Sequence, residues 1–124
     1  MIIAFDPGRN IGVAHVGEDG RLLRCEILDF GALKKLAYPP DATLVVGDGT
    51  GSRAIQDVLV KLELEVVVVD EEGTTLEARG LYLRDYPPRG LNRLLPKGLW
   101  SPPRPIDDYA AYAIALRYLR AEGR

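Results

Sequence analysis

The chain has 124 residues, 47% of them hydrophobic and 27% charged, with a formal net charge of −2. These values predict one soluble globular domain spanning residues 1–124, and they exclude nucleic-acid binding through bulk positive charge alone. A single cysteine, Cys25, excludes an internal disulfide, and a single histidine, His15, excludes a histidine-rich metal site. Any chemistry must therefore come from carboxylates.

No basic-then-apolar leader opens the sequence, and the valine run at 66–69 is far too short to cross a bilayer. A lone cysteine also fits a reducing compartment. We therefore expect a cytoplasmic protein with no membrane partner.

The first 28 residues predict three short strands. An apolar run ends on Asp6 before Pro7-Gly8, which is typical of a buried strand at the centre of a sheet. Strand-like runs follow at 12–16 and 22–28 after short turns. Because parallel strands need a long crossover, we expect these strands to be antiparallel neighbours.

The rest of the chain alternates between strand-like and helix-like patterns. The predicted segments are a short helix at 31–38, strands at 43–47 and 66–69, and helices at 53–62, 76–83 and 105–120. Thr74 and Glu77 have the spacing of a capping box. The alternation predicts parallel strands joined by crossover helices, and hence an α/β fold.

Acidic residues end three of the predicted strands. They are Asp6, Asp48 and the pair Asp70-Glu71. Parallel strands would bring these acids to one edge of the sheet, where open α/β folds place their sites. The last helix adds Asp107 and Asp108, and two alanines on the same face as Asp107 would let it lie close to the sheet.

Converging carboxylates repel one another unless hard cations neutralise them. A cluster of oxygen ligands favours Mg²⁺ or Mn²⁺. Two such ions about 4 Å apart would activate a water and stabilise the leaving oxygen in phosphodiester hydrolysis. Structural roles remain open for these acids, since Asp6 and Asp48 precede turn residues and the helix acids could stabilise the helix dipole.

A basic segment precedes the last helix. It contains six cations against one acid, Asp85, and its prolines and glycines predict an irregular loop at 86–105. The cations are Arg79, Arg84, Arg89, Arg93, Lys97 and Arg104. Beside an acidic site they favour phosphate binding, while an ordinary solvated loop would have the same composition.

Three motifs resemble those of the YqgF (RuvX) family, a relative of RuvC-type resolvases. The residues are Asp6-Pro-Gly with Gly12-Val-Ala, Asp70-Glu-Glu-Gly-Thr-Thr-Leu-Glu-Ala-Arg79, which is similar to the signature DERxTTxEA, and Ile106-Asp-Asp-Tyr-Ala-Ala111. The resemblance implies a ribonuclease H-like fold with a five-stranded mixed sheet in the order 3-2-1-4-5, flanked by helices. It also implies a divalent-metal endonuclease for structured RNA or branched DNA, in pre-16S rRNA processing or Holliday-junction resolution.

By motif match, the catalytic acids would be Asp6, Glu71 and Asp107. With the remaining acids of the pattern, the expected ligands of two Mg²⁺ or Mn²⁺ ions are Asp6, Asp48, Glu71, Asp107 and Asp108. The chain departs from the signature at Glu72, where the family carries arginine, and at Gly73. Asp48 stands where YqgF proteins more often have an apolar residue, although RuvC-type sites use an acid there.

Two other interpretations remain open. A protein of the same fold could bind nucleic acid with weak or no catalysis. Asp6-Pro-Gly and Gly47-Asp-Gly-Thr50 also resemble the phosphate loops of actin-like ATPases, but those proteins close two such domains around a nucleotide and this chain has one. The sequence fits either a monomer or a homodimer.

Overall fold

Five strands form one mixed sheet, and helices lie on both of its faces. The computed structural model describes residues 1–88, 90, 94 and 102–123. The strands are β1 (Ile2–Asp6), β2 (Ile11–Val16), β3 (Leu22–Leu28), β4 (Thr43–Gly47) and β5 (Val66–Val69). The helices are α1 (Ser52–Lys61), α2 (Thr74–Asp85) and α3 (Asp107–Ala121), with a 3₁₀ helix at Phe30–Lys35.

The strand order is β3-β2-β1-β4-β5. Short turns make β1, β2 and β3 antiparallel neighbours, and crossovers make β1, β4 and β5 parallel. The predicted α/β class and the order 3-2-1-4-5 are thus confirmed. Since β1, β4 and β5 run in the same direction, their carboxyl ends lie at one edge of the sheet.

The central strand β1 contributes side chains to a hydrophobic core on each face of the sheet. Ile2 and Ala4 pack under α2 and α3, whereas Ile3 and Phe5 pack on the side of α1, and all four are fully buried. Alternate side chains of a strand point to opposite faces, so a continuous apolar run fits this doubly covered position. A carboxylate at the end of such a strand is therefore poorly solvated.

The longest helix among the described residues, α3, has 15 residues and packs across β1, β2 and β3. Its alanines at positions 110, 111, 113 and 115 are buried, which lets the helix lie close to the sheet as the sequence predicts. None of the helices that the structure describes is long and apolar enough to cross a membrane.

The start of α2 differs from the sequence prediction. The helix begins at Thr74 rather than at 76, and Gly73, with φ of +82°, is its N-cap. The capping box is therefore wrong: Thr74 is the first helical residue, and its hydroxyl donates to the Glu71 carbonyl over 2.7 Å. Glu77 pairs with Arg117 of α3 instead of turning back to its own helix.

The two edges of the sheet differ in their protection. β3 carries the charged pair Arg24 and Glu26, whereas β5 consists of four valines. Such a run usually marks a strand inside a sheet, yet Val67 and Val68 are 41% and 47% exposed because β5 pairs with β4 alone among the described residues.

Candidate active site

Asp6 lies at the carboxyl end of β1, where it pairs in register with Gly12 of β2. Burial is the largest influence on its carboxyl group, followed by a hydrogen-bonding contact with the Glu71 carboxyl and by the charges of Glu71 and Asp107. Together they raise the pKa of Asp6 from 3.8 to about 8. In the absence of a cation, Asp6 therefore holds a proton at neutral pH.

The Glu71 side chain lies across the end of β4, where two glycines leave room for it. A Cβ added at Gly49 would sit 1.9 Å from Glu71 Oε1, and one at Gly47 would sit 3.1 Å from Glu71 Cδ. Any side chain at position 49 would thus collide with the carboxyl group. Oε1 is buried and receives no hydrogen bond from the residues that the structure describes. Among those residues, this buried acceptor has no donor.

Asp107 reaches the site because α3 begins directly over β2. A Cβ added at Gly12 would lie 1.8 Å from the Asp107 carbonyl oxygen, so only glycine permits this approach of helix and strand. Gly12 is the register partner of Asp6, which places the start of α3 beside the end of β1. Burial, and then the charge of Asp108, raises the pKa of Asp107.

The Asp48 side chain is exposed and hydrogen-bonds to the backbone of the site. Its Oδ1 accepts a hydrogen bond from the Glu71 N–H over 3.1 Å. The bond links the end of β4 to the residue that follows β5 and positions the Glu71 backbone. A carboxylate oxygen remains for other contacts, so the predicted metal role of Asp48 stays a prediction.

Asp108 has other partners. Its buried carboxylate accepts hydrogen bonds from Arg104 over 3.1 Å and from the Tyr109 N–H over 3.0 Å, and it adjoins Cys25. The structure gives it an ion pair on the α2–α3 side of the fold instead of a place in the contact between Asp6 and Glu71. Burial, aided by Asp108, raises the pKa of the Cys25 thiol to about 11, which keeps it protonated.

Arg117 fixes the loop that carries Glu71, a role with no signal in the sequence. It donates to the carbonyl oxygens of Asp70 and Glu72, and its other terminal nitrogen lies 2.6 Å from Glu77. Neither the helical pattern nor a known motif pairs residue 117 with residues 70–77. The loop is therefore held by α3 as well as by Asp48.

The predicted basic segment is only partly described. Arg89, Arg93 and Lys97 lie outside the described residues. Arg79 lies on α2 and is half-buried. The remaining two cations make internal contacts: Arg84 pairs with Asp85 and approaches Tyr112, and Arg104 pairs with Asp108 and lies over the Tyr82 ring.

The carboxylates of the site fit a metal ion in their chemistry but not in their present arrangement. Within the described part of the chain, no group of three or more His, Cys, Asp or Glu side chains is arranged to hold one. The donor chemistry nevertheless fits a hard cation, since Asp6 and Glu71 are in contact and Glu71 Oε1 is buried without a donor. The structure brings Asp6, Glu71 and Asp107 to one place and leaves the metal site a prediction.

Comparison of the chain with protein-family models and with curated proteins found no match.

Proposed function

We propose that the protein is a divalent-metal-dependent endonuclease that hydrolyses phosphodiester bonds in structured nucleic acid. The observation that carries the proposal is the contact between the Asp6 and Glu71 carboxyl groups, beside Asp107, at the carboxyl edge of the sheet. Two carboxyl groups in contact do not stabilise a fold, so the contact indicates a ligand that neutralises their charge. The motif resemblance supports a ribonuclease H-like enzyme related to the YqgF family.

Asp6, Glu71 and Asp107 are the residues that would hold the metal. Mg²⁺ or Mn²⁺, when bound as one or two ions, supplies Lewis acidity for attack on a phosphodiester. The protein contributes the position of each carboxylate: Gly47 and Gly49 make room for Glu71, and Gly12 lets α3 present Asp107. Asp6 must release its proton when a cation binds, so affinity should increase with pH.

The substrate we propose is structured RNA or branched DNA, met in the cytoplasm by a monomer or a homodimer. Phosphate contacts would come from the basic segment. Because Arg84 and Arg104 already pair with Asp85 and Asp108, this role rests more on the three cations outside the described residues, Arg89, Arg93 and Lys97. Such contacts would position the substrate without reading its sequence.

A nucleic-acid-binding protein with weak or no catalysis is the second candidate. The absence of a ready three-acid metal arrangement among the described residues favours it. So does Glu72, which puts a negative charge where the resembled signature carries arginine. Under this alternative, nucleic acid would bind but Asp6 would be dispensable.

Cleavage of a four-way DNA junction and of a precursor 16S rRNA fragment in Mn²⁺ separates the two candidates. The wild type should cut at least one substrate, and Asp6→Asn should lose at least about 100-fold in rate, as expected when a reacting-centre group is removed. Asp41→Asn is the matched control, because Asp41 is an exposed acid before the opposite end of β4.

A metal-binding measurement gives an independent readout. Mn²⁺ should raise the melting temperature of the wild type and of Asp41→Asn, with little effect on Asp6→Asn. Nucleic-acid binding without cleavage by the wild type would establish the second candidate. Equal cleavage rates for the wild type and Asp6→Asn would show that Asp6 is not part of the active site.

A further inference from the structure

The outer edge of β5 is open in the part of the chain that the structure describes. β5 pairs with β4 on one side only, so its other side presents backbone N–H and C=O groups without a strand partner. Proteins usually block such edges with charges, prolines or bulges. β3, at the opposite edge, carries Arg24 and Glu26 and lies beside a register shift at His15/Val16, whereas β5 has only valines.

Grooves lie on both faces of the sheet beside this edge. A groove of about 550 Å³ lies on the α1 side at the amino ends of β4 and β5, where Val60, Leu64 and Val66 contribute to its wall. A second groove of about 330 Å³ lies on the α3 side and is lined in part by Val67 and Tyr118. Alternate side chains of a strand added to β5 would point to opposite faces, and hence into these two grooves.

Acidic residues flank the edge at both ends. Glu63 and Glu65 precede β5, Asp70 and Glu72 follow it, and all four are exposed. An added strand would therefore be attracted by positive charges near its two ends and by small apolar side chains at its centre. The edge, the grooves and the charges describe one kind of ligand.

We propose that β5 is a docking site for an extended segment of a partner protein, which adds to the sheet as a sixth strand. The segment has small apolar or β-branched residues at its centre and lysine or arginine at both ends. Main-chain hydrogen bonds to β5 hold it in place, and the two grooves select its side chains. The strand β5 itself contains none of the carboxylates proposed for catalysis, although its flanking acids Asp70 and Glu72 adjoin Glu71.

A second copy of this chain is a poorer occupant. In a two-fold antiparallel pairing centred on β5, Glu65 of each copy would face Asp70 of the other, and like charges directly opposite destabilise a strand pair. A strand of four residues also offers little area for a stable dimer. A partner segment with positive charges at its ends would avoid the repulsion between Glu65 and Asp70. A transient complex also needs less buried area than a stable dimer.

The test uses a nine-residue peptide of alternating valine and threonine with two lysines at each end. Titration into the ¹⁵N-labelled full chain should shift the amide signals of Val66–Val69, with a Kd on the order of 100 μM. Val68→Lys should weaken binding at least tenfold. Leu23→Lys is the matched control, since Leu23 is an exposed residue of the opposite edge strand. Circular dichroism checks that both variants fold.

A peptide with glutamate in place of each lysine should bind at least tenfold more weakly. Equal binding of the two peptides, no binding at 1 mM, or shifts confined to β3 would overturn the proposal. Sedimentation velocity tests whether a second copy of the chain binds at β5 instead. A dimer of the free chain that dissociates in Val68→Lys would show this and would overturn the proposal. Nuclease activity does not enter any of these readouts.

Discussion

The Asp6 carboxyl group occupies a place that opposes its ionisation. Burial removes water from it, and Glu71 and Asp107 add negative charge nearby. No described basic group contributes to its pKa shift. Asp6 therefore exchanges between a protonated form in the free protein and an ionised form that needs a cation beside it.

The first prediction concerns pH. Without divalent cations and between about pH 5 and pH 8, the folded chain keeps a proton on Asp6 that the unfolded chain has lost, because the pKa is raised to about 8 on folding. The free energy of unfolding should therefore fall as pH rises through this window. The slope from Asp6 is at most about 1.4 kcal/mol per pH unit, and partial solvation makes it smaller.

Urea unfolding at several pH values, compared with Asp6→Asn, isolates this effect. Burial lowers the pKa of His15, which contributes in the opposite sense, and the comparison cancels that contribution. Asparagine cannot lose a proton, so the variant should gain stability relative to wild type as pH rises. Asp41→Asn should follow the wild type. Parallel curves for wild type and Asp6→Asn would contradict the raised pKa.

The second prediction concerns Gly49. In Gly49→Ala, the new Cβ would overlap Glu71 Oε1 at 1.9 Å and must displace the carboxyl group. We expect a loss of at least about tenfold in Mn²⁺ affinity, measured by calorimetry, with little loss of stability, because the displaced atoms are the far end of a flexible side chain.

Gly80→Ala is its control. Gly80 lies within α2, and a Cβ there meets nothing within 4 Å. This variant should keep the Mn²⁺ affinity of the wild type and gain about 0.5–1 kcal/mol, because alanine favours a helix over glycine. Unchanged Mn²⁺ affinity in Gly49→Ala would show that Glu71 is not a ligand.

At the scale of elements, α3 holds both the acids and the loop opposite them. Its first turn carries Asp107 over Gly12, and farther along the helix Arg117 binds the carbonyl groups of Asp70 and Glu72. One helix thus fixes two sides of the site. A substitution near the end of α3 should therefore affect the backbone at Glu71.

The third prediction is that Arg117→Gln loosens this loop. Its partly buried ion pair with Glu77 and its bonds to two carbonyl groups make the expected loss about 1–3 kcal/mol. Hydrogen exchange at the Glu71 amide, which donates to Asp48, should accelerate. Arg120→Gln should cost about 1 kcal/mol or less, because Arg120 is 63% exposed. Equal exchange rates in the two variants would contradict this role.

At the scale of the whole molecule, the sequence pattern predicts the strand directions well because chain connectivity limits them, while the order 3-2-1-4-5 is implied by the family resemblance. Short turns require β1, β2 and β3 to be antiparallel, and crossovers make β4 and β5 parallel to β1. The meeting of Asp6, Glu71 and Asp107 follows from this topology, since each lies at an end of an element on the same edge.

The sequence pattern predicts less where a residue's role depends on distant partners. Helical face and motif match single out Asp107 from Asp108, but the position of Asp107 over Gly12 of β2 is visible only in the structure. The glycines after β4 suggest a turn, although their effect is to admit the Glu71 side chain. Four valines suggest a buried strand, whereas the strand order, which the resemblance implies and the structure confirms, makes β5 an edge.

The contact of Gly12 with Asp107 also bears on the order in which a ribosome makes the protein. Asp6 is translated first, whereas Asp107, which completes the proposed set of acids, follows it by about a hundred positions. Until α3 is released, the sheet lacks the helix that packs across β1, β2 and β3, and the set of acids is incomplete. The proposed site can therefore form only after α3 has been synthesised.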